Sequence, residues 1–145
     1  MSKQKKEWFI EGNVPSLKNS KIKTSRGIFP SKTVMKYLQK LGIKKYSSSK
    51  KEVEGYKTRT NSFFDHIWDF PKDIEYPIQL GFHFVRDSQR DFDFNNATQI
   101  ILDLLTAHKF IEDDSMKYII PFAYKKNGNW YSIDKENPGV FITIK

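Results

Sequence analysis

The sequence predicts an α+β fold, in which a mixed sheet of about four or five strands carries two or three helices. Three observations support this prediction. Residues 78–85 alternate as in a strand, and residues 95–107 carry an apolar stripe at helical spacing. The pair Asn127-Gly128 is a strong signal for a hairpin turn. Strand and helix patterns therefore occur side by side in one short chain.

The length and composition are those of one globular domain, which we expect to span residues 1–145. The chain has 145 residues, of which 38% are hydrophobic and 15% aromatic, enough for a single core. It has no cysteine, which excludes disulfides and thiolate metal sites. No apolar run is long enough to span a membrane, and the first residues lack a signal-peptide core. We therefore expect a cytoplasmic protein with no membrane partner.

Positive charge dominates the chain and indicates an anionic partner. There are 25 Lys and Arg against 17 Asp and Glu, a formal net charge of +8, and most of the excess lies in residues 1–60. The phosphate backbone of nucleic acid is the first candidate, because its neutralisation releases counterions. A membrane surface is the second candidate. For any single lysine of this set, a solvated surface position is the simpler interpretation.

The basic half of the chain divides into five predicted segments. A strand over residues 8–11 leads into a long loop over residues 12–30, which is punctuated by glycine and proline. Helices are predicted over residues 31–41 and from about residue 52 to residue 68, with a polar connection over residues 43–51 between them. Long loops are often functional. Five side chains of this loop suit phosphate contacts: Lys18, Asn19, Lys21, Lys23 and Arg26.

The acidic stretch, residues 89–114, contrasts with this basic background. It holds five aspartates and one glutamate within 26 residues. Asp91 and Asp93 are two positions apart, so an extended backbone directs both side chains to one face. The helix that follows presents a polar ridge at helical spacing, formed by Asn96, Gln99 and Asp103. We expect the first carboxylate pair to lie at the end of the strand over residues 78–85.

A second carboxylate pair, Asp113 and Asp114, lies in the turn beyond the helix and could fold back toward the first. Several carboxylates around one point suit Mg²⁺ or Mn²⁺, because hard cations take oxygen ligands. The alternative is structural, since Asp93 could cap the helix and the second pair could lie in a solvated turn. His83 could bind a metal, but a half-exposed strand histidine is the simpler interpretation.

Three more strand segments are predicted after the acidic stretch. The first lies within residues 116–124, where Pro121 indicates an edge position or a bulge. The hairpin turn over residues 125–129 then leads to a returning arm over residues 130–133. A last short strand is expected over residues 140–144.

The acidic stretch resembles the signature of the RusA family of Holliday junction endonucleases. The similar residues are Arg90-Asp91-Phe92-Asp93, a following Asn, a helix with Asp103-Leu104, and a turn that ends in Asp113-Asp114. The opening strand and the Pro15, Ser16 and Asn19 that follow it are similar to the start of the family pattern. The similarity covers most of the chain in outline, and its specific part is the acidic stretch.

The resemblance implies a RusA-like homodimer that cuts four-way junction DNA by metal-dependent hydrolysis, in recombination and repair or in phage DNA processing. It implies a catalytic metal site with Mg²⁺, or with Mn²⁺ in its place, held by Asp91, Asp93 and Asp114. Asp113 or Asp103 would support these ligands or relay a proton. Arg90 matches a basic residue that the family uses near the DNA backbone.

Two departures from the family pattern leave other functions open. The segment Phe94-Asn95-Asn96 is two residues longer than the family's single Asn, and Gln99 stands where the family has a catalytic lysine. A neutral amide cannot supply a cation to the charge that develops on phosphorus. The chain could therefore be a non-cleaving module that binds branched DNA. It could also be a basic interaction protein whose aspartates serve as caps and turns.

Overall fold

The computed structural model describes residues 7–15, 21–24, 27–30, 36–37, 43–46, 51–53, 67 and 69–145. Within them, a five-stranded mixed sheet, two two-stranded sheets and one complete helix confirm the α+β prediction. The elements are β1 (Glu7–Glu11), β2 (Lys21–Thr24), β3 (Gly27–Pro30), β4 (Ile43–Tyr46), β5 (Lys51–Val53), β6 (Ile78–Arg86), α1 (Phe94–Ala107), β7 (Ile119–Ala123), β8 (Ser132–Ile133) and β9 (Gly139–Ile144).

The five-stranded sheet is built around β6, its longest strand. The strand order is β1-β9-β6-β7, and β8 also pairs with β6. The β1–β9 and β9–β6 pairs are antiparallel, whereas β7 and β8 run parallel to β6. Parallel neighbours need a crossover connection, and α1 provides it between β6 and β7. The acidic stretch is this crossover, so it begins at the carboxyl end of β6.

One face of β6 and the apolar stripe of α1 share a single buried core. Leu80, Phe82 and Phe84 alternate along β6 and are at most 1% exposed. Ile101 and Leu104 of α1 are fully buried in the same cluster. The helical stripe is therefore confirmed, and the predicted strand is present, but β6 is buried on both faces from Leu80 to Arg86.

The long loop predicted over residues 12–30 is wrong in part. β2 and β3 lie within it and pair antiparallel, from Lys21 opposite Pro30 to Thr24 opposite Gly27. The connection predicted over residues 43–51 likewise contains β4 and the first residue of β5, and these two strands also pair antiparallel. Each of these strands is only three or four residues long, which is too short to show an alternating apolar pattern.

The two helices predicted before β6 fall largely outside the described residues. Lys36, Tyr37 and Ile67 are described and helical, in agreement with both predictions. The predicted start of the second helix is wrong, because residues 52–53 belong to β5. None of the helical segments among the described residues is both long and apolar enough to cross a bilayer.

The predicted hairpin turn is confirmed, but its returning arm pairs elsewhere. Asn127 and Gly128 have φ values of 52° and 78°, and Lys126 pairs with Asn129 across them. The segment after the turn does not return along β7. Instead β8 runs parallel to β6, beyond the residues of β6 that β7 occupies. Two separate strands, β7 and β8, therefore pair with successive parts of β6, and the hairpin turn lies between them.

Candidate functional site

Asp93 caps the helix that carries the polar ridge. Its backbone is extended, with φ −98° and ψ 111°, and its carboxylate accepts a hydrogen bond from the Asn96 backbone N–H at 3.1 Å. This is the geometry of an N-cap aspartate. The structural alternative considered for Asp93 is therefore correct. The side chain is also exposed, so capping does not bury the carboxylate.

Phe92 separates the first two aspartates and anchors the turn. Its ring lies edge-on to Phe84 at 5.8 Å between centroids, and the Arg86 guanidinium lies 4.9 Å from its centre. Asp91 and Asp93 are both exposed on either side of this half-buried ring. The alternation of an inward Phe with two outward Asp agrees with the predicted common face for the two carboxylates.

Gln99 joins the helix to the second acidic turn. Its side-chain Nε2 donates to Asp103 Oδ1 at 3.0 Å and to Asp114 Oδ2 at 2.5 Å. Asp103 is 8% exposed and Asp114 is half-buried, whereas Gln99 is exposed. Two carboxylates therefore lie on either side of one amide nitrogen. The predicted return of the second turn brings Asp114 to the ridge residues of α1.

The backbone after α1 explains how Asp114 reaches the helix. Lys109 adopts a left-handed conformation with φ 64°, which reverses the chain direction. The Phe110 N–H then donates to the Leu105 carbonyl at 2.9 Å. Ile111 is 3% exposed, so its burial in the core holds the turn against the protein. The short segment that remains places Asp114 beside α1.

The structure groups Asp114 with Asp103 and not with the first pair. Asp93 and Gln99 are six residues apart, which is about 9 Å of rise along a helix. Across residues 69–145 and the other described segments, no group of three or more His, Cys, Asp or Glu is placed to hold a metal ion. The predicted set of Asp91, Asp93 and Asp114 is not seen as one cluster. The two carboxylates that the structure does bring together, Asp103 and Asp114, are joined through the Gln99 amide.

Some of the other predicted residues are described by the structure, and the rest lie outside the described part of the chain. Asp113 and Arg90 are exposed, and the Arg90 backbone N–H donates to Ser88 Oγ at 3.4 Å. Lys21 and Lys23 lie in β2. Lys18, Asn19 and Arg26 lie outside the described residues, so their predicted phosphate contacts stay predictions.

His83 is fully buried, so the half-exposed position expected for it is wrong. Its Nδ1 lies 2.9 Å from the Tyr124 carbonyl oxygen, which can only accept, and Nδ1 therefore carries the proton. The Ser132 Oγ lies 2.7 Å from Nε2. With both ring nitrogens engaged, the imidazole links β6 to the edge segment. His83 is buried because β6 has paired strands on both sides and its side chains on both faces are buried from Leu80 to Arg86.

A polar cluster that the sequence did not reveal lies beside His83. Glu7 accepts hydrogen bonds from Tyr124 Oη at 2.9 Å and from Lys126 Nζ at 2.8 and 2.9 Å. Partial burial by itself would raise the pKa of Glu7, but the bonds from Lys126 and Tyr124 and the charge of Lys126 lower it below its ordinary value. Burial, and then the Glu7 carboxylate, raise the pKa of Tyr124. No sequence motif marks these partners, which are more than a hundred residues apart.

Comparisons with known proteins add no family to these observations. No protein-family model matches this chain, and neither a curated protein nor a solved structure was found to match it. The RusA resemblance therefore rests on the motif of the acidic stretch and stays a prediction.

Proposed function

We propose that this protein is a metal-dependent endonuclease that binds branched DNA and cuts four-way junctions by phosphodiester hydrolysis. The observation that carries the proposal is the hydrogen bond from Gln99 to Asp114. It joins the turn at the end of the acidic stretch to the helix that follows Asp91 and Asp93. The RusA motif implies that this turn returns to the helix, and the bond supports that part of the motif.

The proposed chemistry assigns a role to each polar residue of this region. Asp103 and Asp114 would hold Mg²⁺ or Mn²⁺ through the carboxylate oxygens that the Gln99 amide does not engage, and Asp91 and Asp93 would add ligands when DNA is bound. The ion, when bound, would supply a water of lowered pKa and stabilise the leaving oxygen. Gln99 keeps the Asp103–Asp114 pair together by donating to both carboxylates. Arg90 is exposed next to Asp91, where its guanidinium would contact a phosphate.

The proposed DNA surface is the basic half of the chain. The net charge of +8 favours a polyanionic partner, and Lys21 and Lys23 lie in the β2–β3 hairpin. A four-way junction offers two symmetric strands, so a homodimer with two sites would match its symmetry. We place this activity in the cytoplasm, in recombination and repair or in phage DNA processing.

A second candidate function is a module that binds branched DNA without cutting it. Two observations favour it. Gln99 is neutral where the family motif has a lysine, and no three-carboxylate group is seen in the described part of the chain. In this case the Gln99 amide would substitute for a cation between the two carboxylates, and the acidic stretch would keep only a structural role.

The first experiment is incubation of the protein with a labelled four-way junction and a matched duplex, in Mg²⁺, Mn²⁺ or EDTA. Paired nicks that require metal and are confined to the junction would support the endonuclease. Junction binding without nicks in either metal would favour the non-cleaving module. If the protein neither binds nor nicks the junction, both functions are ruled out and the interaction protein remains.

The site assignment is tested by Asp114→Asn beside Glu112→Gln as a control with the same loss of charge. Glu112 lies two residues away and is exposed. Asp114→Asn should lower the cutting rate more than about tenfold, the range for a disturbed metal site, and leave junction binding intact. Glu112→Gln should cut as the wild type does. Equal effects of both changes would contradict the assignment of Asp114.

A further inference from the structure

The segment that follows the hairpin turn carries an exposed apolar patch. Within four consecutive residues, Trp130 is 58% exposed, Tyr131 43% and Ile133 45%. Residues 128–133 line an open crevice of about 560 Å³. This volume lies in the usual range for small-molecule sites, and contiguous apolar patches of this kind commonly mark binding surfaces.

The backbone holds this patch in a fixed arrangement. Lys126 and Asn129 exchange backbone hydrogen bonds of 2.9 and 3.1 Å across the tight turn. Beyond the patch, Ser132 is tied to His83, and β8 is paired with β6. Trp130 and Tyr131 are therefore held between two anchored points. A ligand that binds there orders little additional chain, which favours affinity.

The patch adjoins the acidic stretch. The Tyr131 ring lies edge-on to Phe92, with 5.1 Å between the ring centroids. Phe92 stands between Asp91 and Asp93, so the crevice borders the turn that carries the first carboxylate pair. A group held in the crevice would lie beside the DNA strand that the proposed site engages.

The charge near the patch suits a phosphate-linked ligand. The Lys125 ammonium lies 5.0 Å from the centre of the Trp130 ring, and Lys125 is exposed. A cation beside an exposed aromatic ring is the usual arrangement of single-strand binding sites. There the ring stacks on a base and the cation contacts the backbone. Asn129 also lines the crevice, and its amide can hydrogen-bond to a base edge.

We propose that the crevice formed by residues 128–133 binds an unpaired DNA base, which stacks on Trp130 while its phosphate lies near Lys125. The inference rests on the proposed function and adds a basis for substrate choice. A continuous duplex keeps its bases stacked and offers none to the crevice. A branch point exposes unpaired or weakly stacked bases, so the site would favour branched over linear DNA.

The test measures binding in EDTA, so that cutting cannot affect it. Fluorescence anisotropy would give the affinity of the wild type for a single-stranded oligonucleotide, a linear duplex and a four-way junction. Trp130→Ala should weaken single-strand binding about 5- to 150-fold, the range for loss of one stacked base, and change duplex binding less than about twofold. Trp130→Phe keeps a ring and should recover most of the loss.

Two further readouts separate stacking from a structural effect. Single-stranded DNA should quench the tryptophan fluorescence of the wild type, and this quenching should be lost in Trp130→Phe. Ile120→Ala is the matched control, because Ile120 is an exposed apolar side chain outside the crevice. It should bind all three DNAs as the wild type does.

The outcomes distinguish the failure of the stacking site from the failure of the endonuclease proposal. Unchanged single-strand binding in Trp130→Ala would overturn the stacking site and leave the endonuclease proposal standing. A wild type that binds duplex and junction but not single strands would do the same. A wild type that binds none of the three DNAs would overturn both proposals. If the wild type binds single strands through Trp130 but does not cut the junction in Mg²⁺ or Mn²⁺, the endonuclease proposal alone is overturned.

Discussion

Gln99 is the residue at which the sequence and the structure bear most directly on function. Its amide is the common donor to Asp103 and Asp114, and in the predicted RusA resemblance it stands at the position of a lysine. An amide can orient two carboxylates by hydrogen bonding, but it brings no charge to them. The identity of this one side chain therefore separates the cutting and non-cutting functions.

We expect Gln99→Lys to raise the rate of junction cutting in Mg²⁺ by about tenfold or more, because an added cation would stabilise the charge that develops on the phosphate. Single-turnover cleavage of the junction measures the rate. Asn95→Lys is the control, because it adds the same charge at an exposed position near the start of α1. Equal gains in both variants would mean that added charge acts through general DNA binding and not at this position.

Glu7 offers a second residue-scale prediction, because its pKa is lowered in the folded protein. A lowered pKa contributes stability that is present above the unfolded value of about 4.5 and is lost as the pH falls through the folded pKa. Glu7→Gln should therefore lower the free energy of unfolding at pH 7. The Glu7 side chain is 41% exposed, so water screens the ion pair and the loss should be about 0.2–1 kcal/mol.

Urea unfolding at pH 7 and about pH 3 checks this prediction, since only the higher pH lies above the unfolded pKa of a glutamate. The difference between Glu7→Gln and the wild type should be smaller at the lower pH, because the carboxylate is lost as the pH falls toward its lowered pKa. Glu75→Gln serves as the control, because Glu75 is exposed. A Glu7→Gln difference that is the same at both pH values would mean that the carboxylate charge is not what stabilises the fold.

At the scale of the element, Asp93 has two separable roles in α1. Asp93→Ala removes the N-cap and should lower the free energy of unfolding by about 0.5–2 kcal/mol, whereas Asp93→Asn keeps a good cap and should leave it nearly unchanged. Thermal or urea unfolding of both variants measures the capping role. If Asp93 also binds the metal, Asp93→Asn should still lose cutting. Normal cutting by the stable Asn variant would limit Asp93 to capping.

The β6–α1–β7 unit shows which elements could be predicted from the sequence. β6 and α1 were predicted because each has an unbroken period over eight or more residues, with one side buried in the shared core. β2, β3, β4 and β5 were missed because strands of three or four residues are too short to show an apolar period. The turn at Asn127 and Gly128 was predicted because its two left-handed residues are a local requirement of the turn.

At the scale of the whole molecule, the charge predicts a salt-dependent DNA affinity. The double variant Lys21→Ala/Lys23→Ala should bind duplex DNA more weakly. If both lysines contact phosphates, its plot of log affinity against log salt should be shallower by about two units. Titrations over a range of salt concentrations measure the slope. Lys72→Ala/Lys145→Ala removes the same charge from two exposed lysines. Equal slopes for the two variants would contradict a specific role for the β2–β3 hairpin.

The sequence by itself determined the features that depend on neighbours along the chain. The α+β class, the strand β6, the helix α1, its cap at Asp93 and the tight turn at Asn127 and Gly128 all follow from local periods and backbone preferences. The net charge of +8 and the acidic stretch were equally available, and with them the prediction of a DNA partner.

Only the tertiary structure decided which distant residues meet. It joined Asp114 to Gln99 and Asp103, buried His83 against Ser132, and paired β8 with β6. It also placed the ring of Tyr131 on Phe92, which links the exposed patch to the acidic stretch. The physical reason is that these contacts depend on which strands pair with β6 and which side chains pack against it. Core packing fixes that arrangement, and no local pattern records it.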